Sequence, residues 1–354
     1  MPKYADAATA VLSLLAEPAF LYEHDRILWT NDAAAAVGFA PGDPLPLPLT
    51  AQPLPEGDDA SHQQVLLFGR YWDLTVRTVE NRHVFLLRPA PEEPVGDPML
   101  LSAVRGILPA LDELLAAGSQ LLPEIEEMEN EHLQSLAAGI CQASFRLMRT
   151  AGTLSACDRL TREDAPIQRE KCDLSAFFRD LTQRSADALK DCGRTLKYTG
   201  PKKSVFGSLD RQEVTRGVLH LLSNAGKYSD GDIDLRVSIA QNRLRITVSS
   251  QGTMPEDVFS TAFARFRQPA TSRSQEGAGL GLYLAQAVAR RHGGSLLLEN
   301  RDGRTEVTMT LDISAPAQEL DTPRRDFTGG YDPILVELSC LLPRETYDSR
   351  NVDL

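Results

Sequence analysis

The stretch "GAGLGLYLAQAVARRHGG" at residues 277–294 combines a glycine cluster with the pattern of an amphipathic helix. Gly277, Gly279 and Gly281 precede the helix, and a Gly-Gly pair follows it. We predict that the helix begins near Leu282. Glycines without a Cβ let backbone N–H groups approach a polyphosphate closely, and the N-terminal end of a helix attracts the same anion. The segment therefore predicts one half of a nucleotide site.

A second motif, upstream, predicts the other half of this site. The stretch "VLHLLSNAGKYS" at residues 218–229 lies within a predicted helix over 210–228 and places Asn224 and Lys227 one turn apart. An amide oxygen can hold a hydrated Mg²⁺, while an ammonium group can face phosphate oxygens. Together the two motifs predict a site for a magnesium-bound nucleotide.

Composition excludes several classes of protein. The 354 residues carry 37 Lys and Arg against 49 Asp and Glu, and the net charge of −12 argues against general nucleic-acid binding. Five scattered cysteines without a CxxC pair argue against a disulfide framework or a zinc site. No run approaches 18 uninterrupted apolar residues, and the N-terminus is a poor signal peptide. We therefore expect a cytoplasmic protein without a membrane span.

The first part of the chain, residues 1–89, reads as a small α+β module. Residues 19–39 predict a strand, a turn at Glu23–Arg26, a second strand and an Ala-rich helix. Two alternating strands joined near Glu80–Arg82 complete the module. The segment "APEEPVGDP" at residues 90–98 then has the composition of a linker.

Residues 99–163 carry two helical patterns with heptad spacing. Gly118 and Pro123 suit a connection between the two helices. Two helices cannot enclose their own seam, so we expect a four-helix bundle made by dimerisation. The alternative is that the hairpin packs against other domains of its own chain. The seam positions are Leu101, Val104, Leu108, Leu111 and Leu115 on the first helix, and Leu133, Leu136, Ile140, Ala143, Leu147, Thr150, Leu154 and Cys157 on the second.

The rest of the chain divides into an α/β sandwich and a tail. Residues 173–315 alternate strands and helices, and several adjacent strands at the end favour a mixed sheet layered with helices. Residues 316–354 form a tail with one amphipathic stretch, "YDPILVELSCLLP", which suits docking on the body or on a partner. The fold class expected for the whole chain is α+β with several domains.

Three segments in this order resemble the catalytic ATP-binding domain of sensor histidine kinases: "LHLLSNAGKYS", "FARFRQ" and "GAGLGLYLAQAVARRHGG". The resemblance implies that ATP and Mg²⁺ are the cofactors and that Asn224 holds the metal. It also implies a lid from Arg267 to Glu276, with Arg273 as a further phosphate contact. His220 stands where the family often has another asparagine, so we expect it near the metal or the phosphates. The implied ATP and Mg²⁺ residues are His220, Asn224, Lys227, Tyr228, Gly252, Arg265, Phe266, Gly277, Gly279, Leu280 and Gly281, with Phe263 completing the phenylalanine box.

The resemblance extends to the earlier segments. The hairpin looks like the dimerisation and phosphoacceptor domain of the family, and residues 1–89 look like a shortened PAS sensor domain. By the same resemblance, the base of the bundle near Arg105 would bind the receiver domain of a response regulator. The tail has no part in the resemblance.

The phosphoacceptor position departs from the family pattern. Ser102 stands where the family has its histidine, and Ala103 stands where it has an acidic base. A hydroxyl cannot simply replace an imidazole, because it needs an added base to act as a nucleophile. His132, preceded by Glu131, is a weak candidate for a relocated acceptor on the second helix, where a solvated surface histidine is the simpler interpretation.

The first glycine box also departs from the pattern. Families show Asp-x-Gly-x-Gly here, whereas this chain offers Ser249, Ser250, Gln251 and one glycine, Gly252. A neutral acceptor binds the adenine amino group less strongly than a carboxylate does, so we expect adenine recognition to be weakened or replaced. Glu256 and Asp257 lie too far along the chain and suit the start of a helix. His292 matches a structural position of the family.

Three hypotheses for the function follow from these observations. The first is a degenerate histidine-kinase-like pseudokinase that acts as a dimeric regulator and still binds ATP. The second is an active kinase of a two-component system, with a relocated phosphoacceptor or a partner protein as its substrate. The third is a structural or ligand-sensing dimer that binds no nucleotide.

Overall fold

A computed structural model describes residues 7–46, 49, 54–55, 59–68, 70–79, 82–90, 98–162, 167–229, 231–254, 259, 280–316, 328 and 330–352. No helix within these ranges is long and apolar enough to cross a membrane. The described residues divide into two compact units. The first unit draws on residues 1–92, 253–261 and 295–307, and the second draws on residues 93–252, 262–294 and 308–354.

Strands and helices are numbered in chain order. The strands are β1 (Ala19–Glu23), β2 (Arg26–Thr30), β3 (Ala60–Leu67), β4 (Arg70–Val79), β5 (Arg82–Pro89), β6 (Glu170–Asp173), β7 (Leu196–Thr199), β8 (Phe206–Leu209), β9 (Ile233–Ala240), β10 (Arg243–Gln251), β11 (Ser295–Arg301) and β12 (Arg304–Asp312). The helices are α1 (Ala7–Leu12), α2 (Asp32–Val37), α3 (Pro98–Glu127), α4 (Glu131–Thr161), α5 (Leu174–Lys190), α6 (Arg211–Tyr228), α7 (Gly281–Arg291), α8 (Pro333–Glu337) and α9 (Ser349–Val352), with a 3-10 turn at Arg344–Tyr347.

The first unit is built on an antiparallel sheet in the order β2-β1-β5-β4-β3-β11. His24 and Asp25 have positive φ and form the tight turn between β1 and β2, within the turn expected at Glu23–Arg26. The ring of Phe20 lies in the core, 4.6 Å from the ring centroid of Phe85. Strand β11, which the sequence places with residues 173–315, pairs with β3 in this sheet.

The second unit contains strands in the order β12-β10-β9-β7, with β6 and β8 paired separately. Helices α6 and α7 pack against each other, and one buried histidine fixes both. The backbone N–H of Asp210, the N-cap of α6, donates to His292 Nε2 at 3.1 Å. The other ring nitrogen, Nδ1, lies 2.8 Å from the Val288 carbonyl oxygen and donates to it. His292 therefore has the structural position expected from the sequence.

The hairpin turns later in the chain than the sequence predicts. Helix α3 continues through Gly118 and Pro123, and the connection to α4 lies at residues 128–130. Glu129 adopts φ of 51°, and the Asn130 side chain caps α4. A Cβ at position 118 would lie 3.1 Å from the Cys141 sulfur, so glycine there allows α3 and α4 to approach closely. The prediction of a break at these two residues was wrong.

The two faces of the hairpin have different surroundings. On α3, the seam residues Val104, Leu111 and Leu115 are buried. On α4, the expected seam residues Leu136 and Ile140 are half exposed, while the opposite face packs against other parts of the second unit. Part of the hairpin therefore packs on its own chain, and another apolar face stays exposed.

The tail docks on α4 within the second unit. The Phe145 ring lies 5.2 Å from the ring centroids of both Tyr331 and Tyr347. The Gln142 side-chain amide donates to the Leu342 carbonyl at 2.6 Å. The sequence left two alternatives for the tail, docking on the body or on a partner. The described residues of the tail dock on the body.

Burial of His292 predicts that acid destabilises the fold. Burial lowers the pKa of His292 to about 4, so its contribution to stability is complete above pH 6.5 and is lost as the pH falls toward 4. Between pH 7 and pH 4 the wild-type free energy of unfolding should fall by about 3 kcal/mol more than that of His292→Gln. Urea unfolding at a series of pH values measures this difference. The exposed His132→Gln variant serves as the control, and parallel curves for wild type and His292→Gln would contradict the assignment.

Candidate nucleotide site

The C-terminal end of α6 carries three of the expected site residues. Asn224 and Lys227 are half-buried, and 39% of Tyr228 is exposed. The opposite face of α6 is fully buried through Val218 and Leu222. Burial of this apolar face orients the helix, and the polar residues at its end remain accessible to a ligand.

Gly281 brings the start of α7 against α6. A Cβ built on Gly281 would lie 3.1 Å from His220 Nδ1 and 3.5 Å from the amide atoms of Asn224. The preceding Leu280 is buried, and its carbonyl accepts the Leu284 N–H at 2.8 Å, which starts the helix. The positive end of the α7 dipole therefore lies beside Asn224. The structure brings together the parts of both motifs that it describes.

Gly252 lies next to the same helix end. It follows β10 with φ of 90°, a conformation that favours glycine. A Cβ at this position would lie 3.8 Å from the Tyr228 carbonyl oxygen. Ser249 and Ser250 are buried on β10, and Gln251 is exposed.

Several residues expected at the site lie outside the described ranges. These are Glu256, Asp257, Phe263, Arg265, Phe266, Gly277, Gly279 and the expected lid from Arg267 to Glu276, which includes Arg273. Ser102 and Arg105 lie in α3, but their side chains are outside the description. His132 is exposed at the start of α4.

His220 is buried among protein groups. Its Nδ1 lies 3.3 Å from Nη2 of Arg149, and its Nε2 lies 3.2 Å from the Glu337 carboxylate and 3.3 Å from the Thr153 hydroxyl. Because a guanidinium only donates, Nδ1 accepts from Arg149 and Nε2 carries the proton. Both ring nitrogens therefore have partners within the protein.

Burial controls the charge of this histidine and of its neighbour. Complete burial, reinforced by Arg149 and Arg216, lowers the pKa of His220 well below its ordinary value, so the ring is neutral at pH 7. Burial raises the pKa of Glu337, and the same two arginines oppose that effect. The contact between His220 and Glu337 is therefore a hydrogen bond from a neutral ring.

The sequence did not point to three members of this cluster: Arg149 on α4, Arg216 on α6 and Glu337 on α8. Two signals were present. Arg216 lies one turn before His220 and directly before the apolar run "GVL", and Glu337 is a single acid within "ILVELSC". A charged residue in an apolar stretch indicates a buried partner of opposite charge.

A family model described as histidine kinase-, DNA gyrase B- and HSP90-like ATPase matches residues 209–315. The sensor protein kinase WalK of Staphylococcus aureus is 25% identical over 219 residues, which are 60% of this chain and 50% of that protein. WalK of strain JH9 is 25% identical over the same length, which covers 34% of it. Residues 209–315 therefore contain an ATPase domain of this family, and the chain is similar to sensor histidine kinases over 219 residues. It spans a third to a half of the length of these curated relatives.

Two solved structures are also similar to parts of this chain. Full-length ShkA in complex with AMPPNP has a TM-score of 0.49 and 17% identity, over 62% of this chain and 47% of that chain. Histidine kinase ThkA in complex with the response regulator protein TrrA has a TM-score of 0.42 and 15% identity, over 86% of this chain and 98% of that chain.

The close approach at Gly281 predicts the effect of a single methyl group. Gly281→Ala places a Cβ against the fixed His220 ring, and the strain should lower the free energy of unfolding by about 1 to 2 kcal/mol. A Cβ on Gly106, in α3, meets nothing within 4 Å, so Gly106→Ala should be neutral or stabilise by up to about 1 kcal/mol. Urea unfolding of both variants measures the difference. Equal stabilities would show that the gap at Gly281 is larger than described.

Proposed function

We propose that this sensor histidine kinase homologue is a dimeric two-component signalling protein that binds Mg·ATP and is impaired in histidine autophosphorylation. The observation that carries the proposal is the composition of α3, which contains no histidine in Pro98–Glu127. Ser102 and Ala103 stand where the acceptor and its acidic neighbour would be. The proton-transfer pair is missing as a whole.

The described half of the site supports Mg·ATP binding. Asn224 faces the start of α7, and no hydrogen bond between described residues uses its amide. Mg²⁺ accepts an amide oxygen and keeps most of its waters, so Asn224 fits as its protein ligand, while Lys227 suits the phosphates. His220 does not fit as a ligand of Mg²⁺, because both of its ring nitrogens contact protein groups. Within the described residues, no cluster of three His, Cys, Asp or Glu could hold a metal by itself.

The adenine side of the site supports weaker recognition. The neutral residues Ser249, Ser250 and Gln251 replace the carboxylate of the family pattern. A neutral hydrogen bond to the adenine amino group is about half as strong as one to a carboxylate. Affinity for ATP would therefore depend mainly on the phosphate and magnesium contacts.

Two exposed apolar rows support a homodimer. Ile107, Leu114 and Leu121 recur every seven residues on α3, Met128 continues the row just after the helix ends, and 46% to 64% of each residue is exposed. Leu136, Ile140 and Leu147 form a similar row on α4. Heptad rows of this kind pack against other helices, and a second copy supplies two more to complete a four-helix bundle.

The proposed domains keep the boundaries expected from the sequence. They are a PAS-like sensor at 1–89, a linker at 90–98, the dimerisation hairpin at 99–163, the ATP-binding domain at 173–315 and the tail at 316–354. A response regulator receiver domain is the proposed partner, docking near Arg105 at the base of the bundle. The similarity to WalK and to a kinase solved with its response regulator supports this choice.

Incubation of the purified chain with γ-labelled ATP and Mg²⁺ tests impaired autophosphorylation. The proposal predicts binding of ATP without protein-bound label. Acid-labile, base-stable label on His132 would instead establish the alternative, an active kinase with a relocated acceptor, which the exposure of His132 favours. The His132→Gln variant decides whether any such label belongs to that residue.

Asn224→Ala tests the metal ligand. Without the amide oxygen, Mg²⁺ loses its protein ligand, and the affinity for Mg·ATP should fall at least about 100-fold, or about 2.7 kcal/mol. Isothermal titration calorimetry measures the change. Gln183→Ala, which removes an exposed amide from α5, should bind as the wild type does, and unchanged affinity in Asn224→Ala would refute the site.

Leu121→Glu tests the dimer. A carboxylate in the middle of the exposed row on α3 should separate the copies, because the bundle core cannot solvate it. Size-exclusion chromatography with light scattering should then report the monomer mass of 38.8 kDa, against twice that mass for the wild type. Gln120→Glu adds the same charge beside the row and should remain dimeric. A monomeric wild type would contradict the proposal.

A further inference from the structure

The strongest unexplained feature of the second unit is a buried carboxylate held by two arginines. Glu337 lies at the end of α8, and only 1% of it is exposed to solvent. One carboxylate oxygen lies 3.3 Å from Nε of Arg149 and 3.2 Å from Nε2 of His220, and the other lies 3.4 Å from Nε of Arg216. We call Arg149, Arg216 and His220 the cage. Each cage residue is at least nine-tenths buried.

The charges of the cage require an anion at this position. Arg149 and Arg216 contribute positively charged guanidinium groups, and His220 is neutral. A second buried carboxylate beside Arg216, that of Glu213, is already shared between Arg159 and Arg216. Without Glu337 the cluster would hold an excess of buried positive charge, which costs several kcal/mol unless another anion enters.

The chemistry of the cage also suits a phosphate group. Two guanidinium groups and an imidazole N–H converge on one point, and arginine forks bind phosphate and carboxylate with the same geometry. The Ser223 hydroxyl lies beside them, 3.0 Å from Nη2 of Arg149. A tetrahedral oxyanion would find the same donors that Glu337 uses.

The cage adjoins the nucleotide site. His220 Nδ1 and the Asn224 amide both lie against Gly281, within 3.1 Å and 3.5 Å of a Cβ built there. His220 and Asn224 are one turn apart on α6, so the carboxylate of Glu337 and the proposed Mg²⁺ ligand lie on adjoining parts of one helix surface.

The carboxylate comes from a segment outside the two sequence motifs of the nucleotide site. Helix α8 has five residues and rests on α4, α5 and α6. A Cβ at Gly226 would lie 2.5 Å from Cδ1 of Leu341, so the Leu341 side chain lies directly on α6 and would have to move if a methyl group were added there. Arg216, His220, Ser223 and Gly226 form the stripe of α6 that the tail covers.

We propose that Arg149, Arg216 and His220 form a phosphate-binding site that Glu337 of this chain occupies as an internal substitute. When α8 withdraws, a phosphate group of the nucleotide at Asn224 takes the place of the carboxylate. This assignment of the phosphate's source rests on the proposed binding of Mg·ATP. The tail then controls nucleotide affinity by competing for the same donors.

The first experiment measures the binding of inorganic phosphate to Glu337→Ala. This full-length variant has lost the carboxylate and has room for an oxyanion, so calorimetry should find phosphate binding at least tenfold tighter than in wild type. Phosphate should also raise its unfolding temperature more than chloride of equal ionic strength does. Glu345→Ala removes an exposed carboxylate from the same tail and should behave as the wild type. A folded Glu337→Ala variant that does not bind phosphate more tightly than the wild type would overturn the proposed phosphate site.

Gly226→Ala provides a second route in case Glu337→Ala does not fold. It keeps every charge of the cage and pushes Leu341 away from α6. This variant should bind phosphate more tightly than the wild type and should bind Mg·ATP more tightly as well, by about tenfold for each. Phosphate and ATP affinities that both equal those of the wild type would overturn the proposal.

Competition identifies the source of the phosphate. In Glu337→Ala, Mg·ATP should displace inorganic phosphate, and Asn224→Ala in the same background should weaken that displacement. ATP that binds without displacing phosphate would contradict the nucleotide as the source. Phosphate binding with no ATP binding in any variant would refute the proposed function while leaving the phosphate site standing.

Discussion

One buried ion cluster joins three parts of the second unit that lie far apart in the sequence. Arg149 comes from the hairpin, Arg216 from the helix that carries the nucleotide motif, and Glu337 from the tail. Buried charges are tolerated only when they are matched, so the three segments constrain each other's positions. The neutral His220 lies in the same cluster and carries that constraint to Gly281 and the start of α7. The shape of the candidate site therefore depends on a contact made by the tail.

Local patterns predicted much of the architecture. The helix over 210–228, the helix that begins near Leu282 and the turn at Glu23–Arg26 reflect hydrophobic period and turn chemistry, which are properties of short segments. The position of the hairpin turn was missed because Pro123 and Gly118 look like helix breakers. In the fold, Gly118 allows close packing against Cys141 and Asn130 supplies the cap. Whether Gly118 ends the helix or allows close packing depends on the neighbouring helix, and a single sequence does not show how two helices pack.

The candidate site was predictable in part for the same reason. Asn224, Gly252 and Gly281 belong to motifs that a sequence displays directly, and they lie around one end of α6. The partners of His220 come from residues 71 positions earlier and 117 positions later in the chain. Only the tertiary structure shows that His220 contacts protein groups on both sides. The seam residues Leu136 and Ile140 were chosen for their spacing, and both are half exposed in the fold, where the proposed second copy would cover them.

Phosphorus NMR of the full-length chain during titration with Mg·ATP tests most directly the central claim, that nucleotide binding persists where histidine phosphorylation has been lost. The account predicts that the nucleotide resonances shift and broaden as ATP binds, while no phosphoramidate resonance grows with time. A phosphohistidine signal that accumulates at the expense of the γ-phosphate would contradict the account.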